Sequence, residues 1–166
     1  MSMDPQQPYQ PYQQPQYAPP AQGQWGTSTL GNLGAEVLAG LAYVLSILSI
    51  VGFIGQVIIF AMEKNRFAKF HAAQAMLLGV VSVVLSIVWI IINGALSFGL
   101  SSSNGAANLG SAGMAAVSTC VFGILGLVLF AFWIWGMVSA FTGKPTKLPI
   151  VGSIAEGLAG GPISAI

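Results

Sequence analysis

One stretch of the chain gathers most of its chemistry-bearing side chains. Residues 63–74 read Glu-Lys-Asn-Arg-Phe-Ala-Lys-Phe-His-Ala-Ala-Gln, and hold three of the five Lys and Arg residues (Lys64, Arg66, Lys69) and the only histidine. A carboxylate close to an imidazole is the smallest set that can move protons by general acid–base catalysis. Glu63 and His71 are such a pair by type, and a contact between them would raise the basicity of the ring. The blander expectation is structural: Glu63 neutralises a neighbouring cation, while His71 and Gln74 hydrogen-bond the connecting turn. A lone histidine at a helix end favours the structural alternative.

Nothing else in the chain completes a reactive constellation. Cys120 is single and lies in an apolar run, where it reads as a small buried hydrophobe. The sequence has no His pair or Cys cluster spaced for a metal, no phosphate-binding Gly loop with Lys, no carboxylate pair and no Gly-x-Ser-x-Gly elbow. No enzymatic activity, no cofactor and no metal are therefore expected.

The elements that must position the cluster are apolar. Hydrophobic residues make up 55% of the 166 positions, mean hydropathy is +0.79 and only nine residues carry charge. A soluble domain of this size needs more polar surface than that, so lipid is the expected solvent. A net charge of +1 leaves no footprint for nucleic acid. Residues 1–34 are rich in Pro, Gln and Tyr and lack the basic and apolar regions of a signal peptide, so they read as a disordered tail. Residues 35–142 form the membrane domain and 143–166 a C-terminal tail with a short amphipathic segment at 151–158.

Three apolar runs are expected to cross: 37–62, 70–100 and 112–141. A Ser, Asn and Gly-rich loop at 101–111 separates the last two, and Gly143-Lys-Pro ends the third. The alternative is four segments, with the first run folded into a hairpin near Gly52 and Gly55. Either way the fold class is an all-α polytopic transmembrane bundle, with three spans or, in the hairpin alternative, four. Lys64, Arg66 and Lys69 precede the second run and Lys144 and Lys147 follow the third, so the positive-inside rule puts both groups on the cytoplasmic side of the cell membrane. Three spans would leave the N-terminal tail outside, and four would bring it inside. Phe67 and Phe70 read as interfacial anchors, and Trp133, Trp135 and Phe141 as an aromatic belt.

Helical spacing defines three stripes of small and polar residues. They are Ala42, Ser46, Ser49, Phe53, Gln56, Phe60 and Glu63; then His71, Ala75, Leu78, Ser82, Ser86, Trp89 and Asn93; then Ala112, Ala116, Thr119, Gly123 and Gly126. Such stripes are expected to pack on one another, with amides bonding between helices. The alternative is a polar pathway, disfavoured because no ionisable group lies deep in a run.

Three local features together resemble the prokaryotic Tic-twenty-like membrane proteins, relatives of the chloroplast inner-envelope import component. They are the 63–75 stretch, the Gly143-Lys144 stop, and Lys-Leu-Pro-Ile-Val-Gly-Ser-Ile-Ala-Glu at 147–156. The resemblance covers about residues 33–158 and implies an α-helical integral membrane protein of three or four spans. Its signature positions here are Arg66, Phe67, Phe70, His71, Ala72, Gln74, Leu148, Pro149, Gly152 and Glu156, with Glu63 added from the local chemistry. The expected function is a scaffold or subunit of a membrane complex, partnered by the lipid bilayer and by other membrane proteins or further copies of itself. An oligomeric translocation component is the alternative that the resemblance implies. Glu156 is expected to pair with the basic tip at 64–69.

Overall fold

A computed structural model describes residues 25–102, 106–161 and 163, and the side chains among them outside 99–109. The expected tail therefore lies outside the described residues up to position 24. Five α-helices follow: α1 (Ala35–Leu45), α2 (Ser49–Met62), α3 (Arg66–Ser102), α4 (Ala106–Phe141) and α5 (Val151–Leu158), with a 3₁₀ turn at Ser46–Leu48 joining the first two. Among the described residues the one β-type contact is an isolated bridge between Thr27 and Gly34. Three stretches, Ala35–Met62, Arg66–Phe98 and Gly110–Phe141, are long and apolar enough to cross a membrane. The fold is thus the expected all-α membrane bundle.

The first of these stretches is folded back on itself. The Gln56 amide donates to the Ala42 carbonyl at 2.8 Å and to the Ser46 hydroxyl at 2.5 Å. In a continuous helix Gln56 and Ala42 would stand about 21 Å apart. The turn tightens at Ser46, whose N–H bonds Tyr43 and Val44. Ala42 thereby loses its helical donor, and Gln56 replaces it. Ser49 takes a positive φ of 53° to reverse the chain. Gly52 then lies so close to the Leu45 carbonyl oxygen that a Cβ there would overlap it. The hairpin foreseen as the four-segment alternative is therefore present, turning at Ser46–Leu48 with Gly52 and Gly55 packed beside Leu45. Its arms of 11 and 14 residues reach only about 17 and 21 Å, each short of the roughly 30 Å hydrocarbon core. Folded back in this way, neither arm alone has the length of a crossing helix.

α3 and α4 form the long antiparallel pair, 37 and 36 residues. The loop expected at 101–111 is shorter than its composition suggests, because helix runs to Ser102 and resumes at Ala106. At the other end α4 stops at Gly143, whose φ of 69° lets its N–H reach Ala140 O while the Lys144 N–H reaches Ser139 O. This paired capping bond satisfies carbonyls that the helix end would leave open. α1 seats on α4 by close approach at two glycines. A Cβ on Gly136 would come within 2.6 Å of the Tyr43 ring, and one on Gly40 would overlap Phe141. Trp133 Nε1 donates to Tyr43 O at 3.1 Å, so this tryptophan serves helix packing, while Trp135 stays 55% exposed as a belt residue would. Cys120, expected to be buried, is exposed on α4.

Candidate functional site: a polar clasp at the basic end

The hairpin brings the start of α1, the end of α2, the start of α3 and the end of α4 to one end of the bundle. Residues 25–34, placed with the tail on composition, fold into a turn that docks there. Trp25 stacks on Phe67 with ring centroids 4.7 Å apart, and its Nε1 donates to Gly143 O at 2.8 Å. Asn65 ties this turn to α3. Its Nδ2 donates to Trp25 O at 2.6 Å, and its Oδ1 accepts from the Phe67 N–H at 3.0 Å, the hydrogen bond of an N-cap. Gly34 takes the N-cap position of α1 without a side-chain bond, and Glu36 lies in the first turn.

Glu63 faces this same turn. Its carboxylate accepts from the Thr29 N–H at 3.1 Å, the Thr29 hydroxyl at 2.8 Å and the Asn65 N–H at 2.7 Å. Burial pushes the Glu63 carboxyl up, but these donors outweigh it and hold the group below its usual value. Glu63 is therefore an acceptor for backbone donors, where sequence reasoning made it the partner of a cation.

His71 is fully buried among Phe67, Phe70 and Tyr43. Its Nε2 lies 3.2 Å from the Lys144 carbonyl oxygen and its Nδ1 3.4 Å from the Tyr43 hydroxyl. A carbonyl oxygen only accepts, so Nε2 carries the proton and Nδ1 receives the Tyr43 O–H. One turn further, Gln74 Nε2 donates to Thr146 O at 3.1 Å and Gln74 Oε1 accepts from the Leu148 N–H at 3.2 Å. His71 and Gln74 thus hold residues 144–148, which follow α4, instead of the α2–α3 turn they were expected to bond. Phe67 and Phe70, expected as lipid anchors, are buried in this wall.

The second signature segment completes the clasp. Leu148 is buried, and Gly152 sits against the backbone of Lys147, where a Cβ would come within 2.9 Å. Pro149 is exposed. Glu156 pairs with Lys147 Nζ at 2.8 Å and accepts the Ile163 N–H at 3.1 Å. The bond to Lys147 holds its carboxyl below the usual value despite some burial. The expected partner of Glu156 was the 64–69 tip; instead Arg66 reaches the C-terminal segment through the Gly160 carbonyl at 3.0 Å, and Lys69 lies over the Phe60 ring. All eleven candidate positions lie at this one end. Sequence reasoning missed Trp25, Thr29, Asn65 and Tyr43. Tyr43 had a signal, as the one phenol in the first apolar run; Trp25 and Thr29 stood in a segment judged by composition alone, and Asn65 stood in the 63–74 stretch with no role assigned to it.

Beyond the hairpin tip the three stripes part company with simple packing. Ser46, Gln56, Ser82, Ser86, Thr119 and Gly126 are among the residues that line an open-sided cleft of about 1260 Å³ between the tip, α3 and α4. Packing holds nearer the basic end, where Ala42, His71, Ala75 and Leu78 are buried. Further along, Ser118 Oγ donates to Asn93 Oδ1 at 3.2 Å and bonds α4 to α3. Among the described residues no group of three His, Cys, Asp or Glu could hold a metal ion.

Known proteins with this pattern are membrane proteins. The chain is similar to a UPF0132 membrane protein of Methanocaldococcus jannaschii, 30% identical over 132 residues that span 79% of this chain and 93% of the relative. No solved structure matches it. Residues 34–155, from the N-cap of α1 into α5, match the family model described as the magnetosome magnetite crystal formation protein family, MamF/MmsF. The clasp thus falls almost wholly within the shared region, and the chain belongs to the MamF/MmsF family of membrane proteins.

Proposed function

We propose that this protein is a scaffold subunit of a membrane complex, presenting its basic end on the cytoplasmic side of the cell membrane. The observation that carries this reading is where the signature side chains go. Glu63, Phe67, Phe70, His71, Gln74 and Leu148 are buried, and the polar ones bond segments of the same chain. Side chains committed in this way fix the shape of an end face and leave no titrating group aimed at a reactant. The family description speaks of magnetite crystal formation, and a scaffold in the enclosing membrane is the role that fits this chain. Glu63 and Glu156 are engaged internally instead of gathered as an acidic surface for iron. Crosslinking in native membranes followed by co-purification tests the reading. A defined membrane-protein partner, lost when His71 and Gln74 are replaced together, is the expected result; an unchanged set of crosslinks would refute it.

A second reading is a translocation component, in line with the Tic-twenty-like resemblance of residues 63–75 and 147–156. The observation in its favour is the open-sided cleft beside the hairpin tip, mostly apolar but with Gln56, Ser82, Ser86 and Thr119 in its lining. Conductance across planar bilayers by the purified oligomer separates the two readings.

A further inference from the structure

α5 has one face that the bundle uses and one that it leaves bare. Val151, Gly152 and Ala155 are buried, and Ala155, Ala159 and Ile163 pack on Phe70 and Ala73 of α3, with Leu77 beside them. Phe70 to Leu77 lie about 6 to 17 Å along α3 from Arg66. α5 therefore runs beside the first turns of a crossing helix, at the depth where headgroups meet acyl chains. The adjoining face carries Ile150, Ile154 and Leu158, which are 82, 49 and 45% exposed. Spaced four residues apart, they make one apolar stripe along the helix. Ile150 holds this place with a φ of 66°, an unfavourable conformation for a β-branched residue.

Charge selects the occupant of this face. All five Lys and Arg residues of the chain lie at 64–69 and 144–147, flanking α5 at the same end. Lys64, Lys144 and Lys147 are exposed, whereas Glu63 is buried and Glu156 is paired with Lys147. An apolar stripe edged by cations, on a helix lying at the boundary, fits an anionic bilayer surface. A soluble acidic protein would match the cations but not an isoleucine stripe at acyl depth. We infer that α5 and its flanking lysines form an interfacial site for anionic phospholipid, with Ile150, Ile154 and Leu158 in the acyl boundary and Lys64 and Lys144 on the headgroups. This goes beyond the scaffold reading and holds equally for the translocation reading.

The test uses the full chain with Cys120→Ser and single cysteines at Ile154, Leu158 or, as a water-facing reference, Asn32. Each carries an environment-sensitive fluorophore in vesicles of phosphatidylcholine alone or mixed equally with phosphatidylglycerol. The labels at 154 and 158 are expected to be quenched by spin-labelled lipid and shielded from aqueous iodide, and the label at 32 to behave oppositely. In mixed micelles, the preference for retaining phosphatidylglycerol over phosphatidylcholine is expected to fall about five-fold for each of Lys64→Gln and Lys144→Gln. Iodide access at 154 equal to that at 32 would overturn the placement of α5. Equal retention of the two lipids by the parent protein, or no loss in the lysine variants, would overturn the headgroup site.

Discussion

Replacing Gly52 by alanine tests the folded-back first run most directly. The added Cβ would overlap the Leu45 carbonyl oxygen, a backbone atom that no rotamer change can move. The two arms must separate, weakening the bonds from Gln56 to Ala42 and Ser46. Overpacking of this kind costs about 1–3 kcal/mol, and a loosened interhelical amide bond in a membrane adds roughly 0.6–1.7 kcal/mol. Against this stands the helix-propensity gain of alanine over glycine, about 1 kcal/mol. The net expectation is a loss of roughly 1–4 kcal/mol. Gly126→Ala is the matched control, since nothing lies within 4 Å of its Cβ position, and it should keep the propensity gain. Thermal unfolding of both variants in one detergent, followed by circular dichroism, reads the difference. If the first run were one continuous crossing helix, Gly52 would have no Leu45 carbonyl against it. Both variants would then gain together, and that result would refute the hairpin.

Other consequences follow from the same geometry. With Cys120→Ser as background, cysteines at Asn32 and Pro149 should react with an impermeant maleimide from the same side of sealed vesicles; labelling from opposite sides would restore a crossing first run. Glu63 is held below the ordinary carboxylate value, so its contribution is fully present above the unfolded value near 4.5 and is lost as pH falls through the lower folded value. Glu63→Gln should therefore cost about 1–3 kcal/mol at neutral pH and flatten the acid limb of the melting temperature between pH 5 and 3, about the range bracketing those values; an unchanged limb would remove Glu63 from the clasp. His71→Leu should destabilise by roughly 1–3 kcal/mol by leaving the Lys144 carbonyl and Tyr43 hydroxyl without their partner. Because His71 and Gln74 hold the same segment, His71→Leu combined with Gln74→Leu should cost less than the two losses added, and strict additivity in chemical denaturation would count against a shared clasp.

Periodicity and charge made the membrane class legible, and the basic residues located the end where the candidate positions gather. The 151–158 amphipathic segment is α5 to the residue, because a short helix with one apolar face leaves a clear pattern. What the sequence concealed was tertiary. A hairpin of two short arms and one continuous crossing have the same composition, and tertiary contacts such as the bond from Gln56 to Ala42 distinguish them. Glu63 looked like the partner of a cation because Lys64 and Arg66 are its neighbours in sequence. In space its donors are the Asn65 N–H and two groups of Thr29, which lies 34 residues earlier and carries no charge to betray it. The loop at 101–111 read too long because glycine and serine are weak helix formers in water, whereas lipid favours any conformation that satisfies its own backbone.

The hairpin and the clasp depend on each other. Two arms of about 17 and 21 Å need fixation at their open end. The clasp supplies that fixation through uncharged or internally satisfied groups: Trp25 on Phe67, Thr29 on Glu63, and Tyr43 with Lys144 on His71. Each link joins a different pair of segments, so the loss of any one weakens its own junction while the others hold. Glu63–Thr29 closes the hairpin at its base, and His71 ties that base to the exit of α4. Tyr43 belongs to both arrangements, since its ring fills the space that Gly136 vacates and its hydroxyl reaches His71. The cluster that looked like a proton-transfer pair thus ties the open end of the hairpin to α3 and α4, while the hairpin tip at Ser46 and Ser49 lines the cleft.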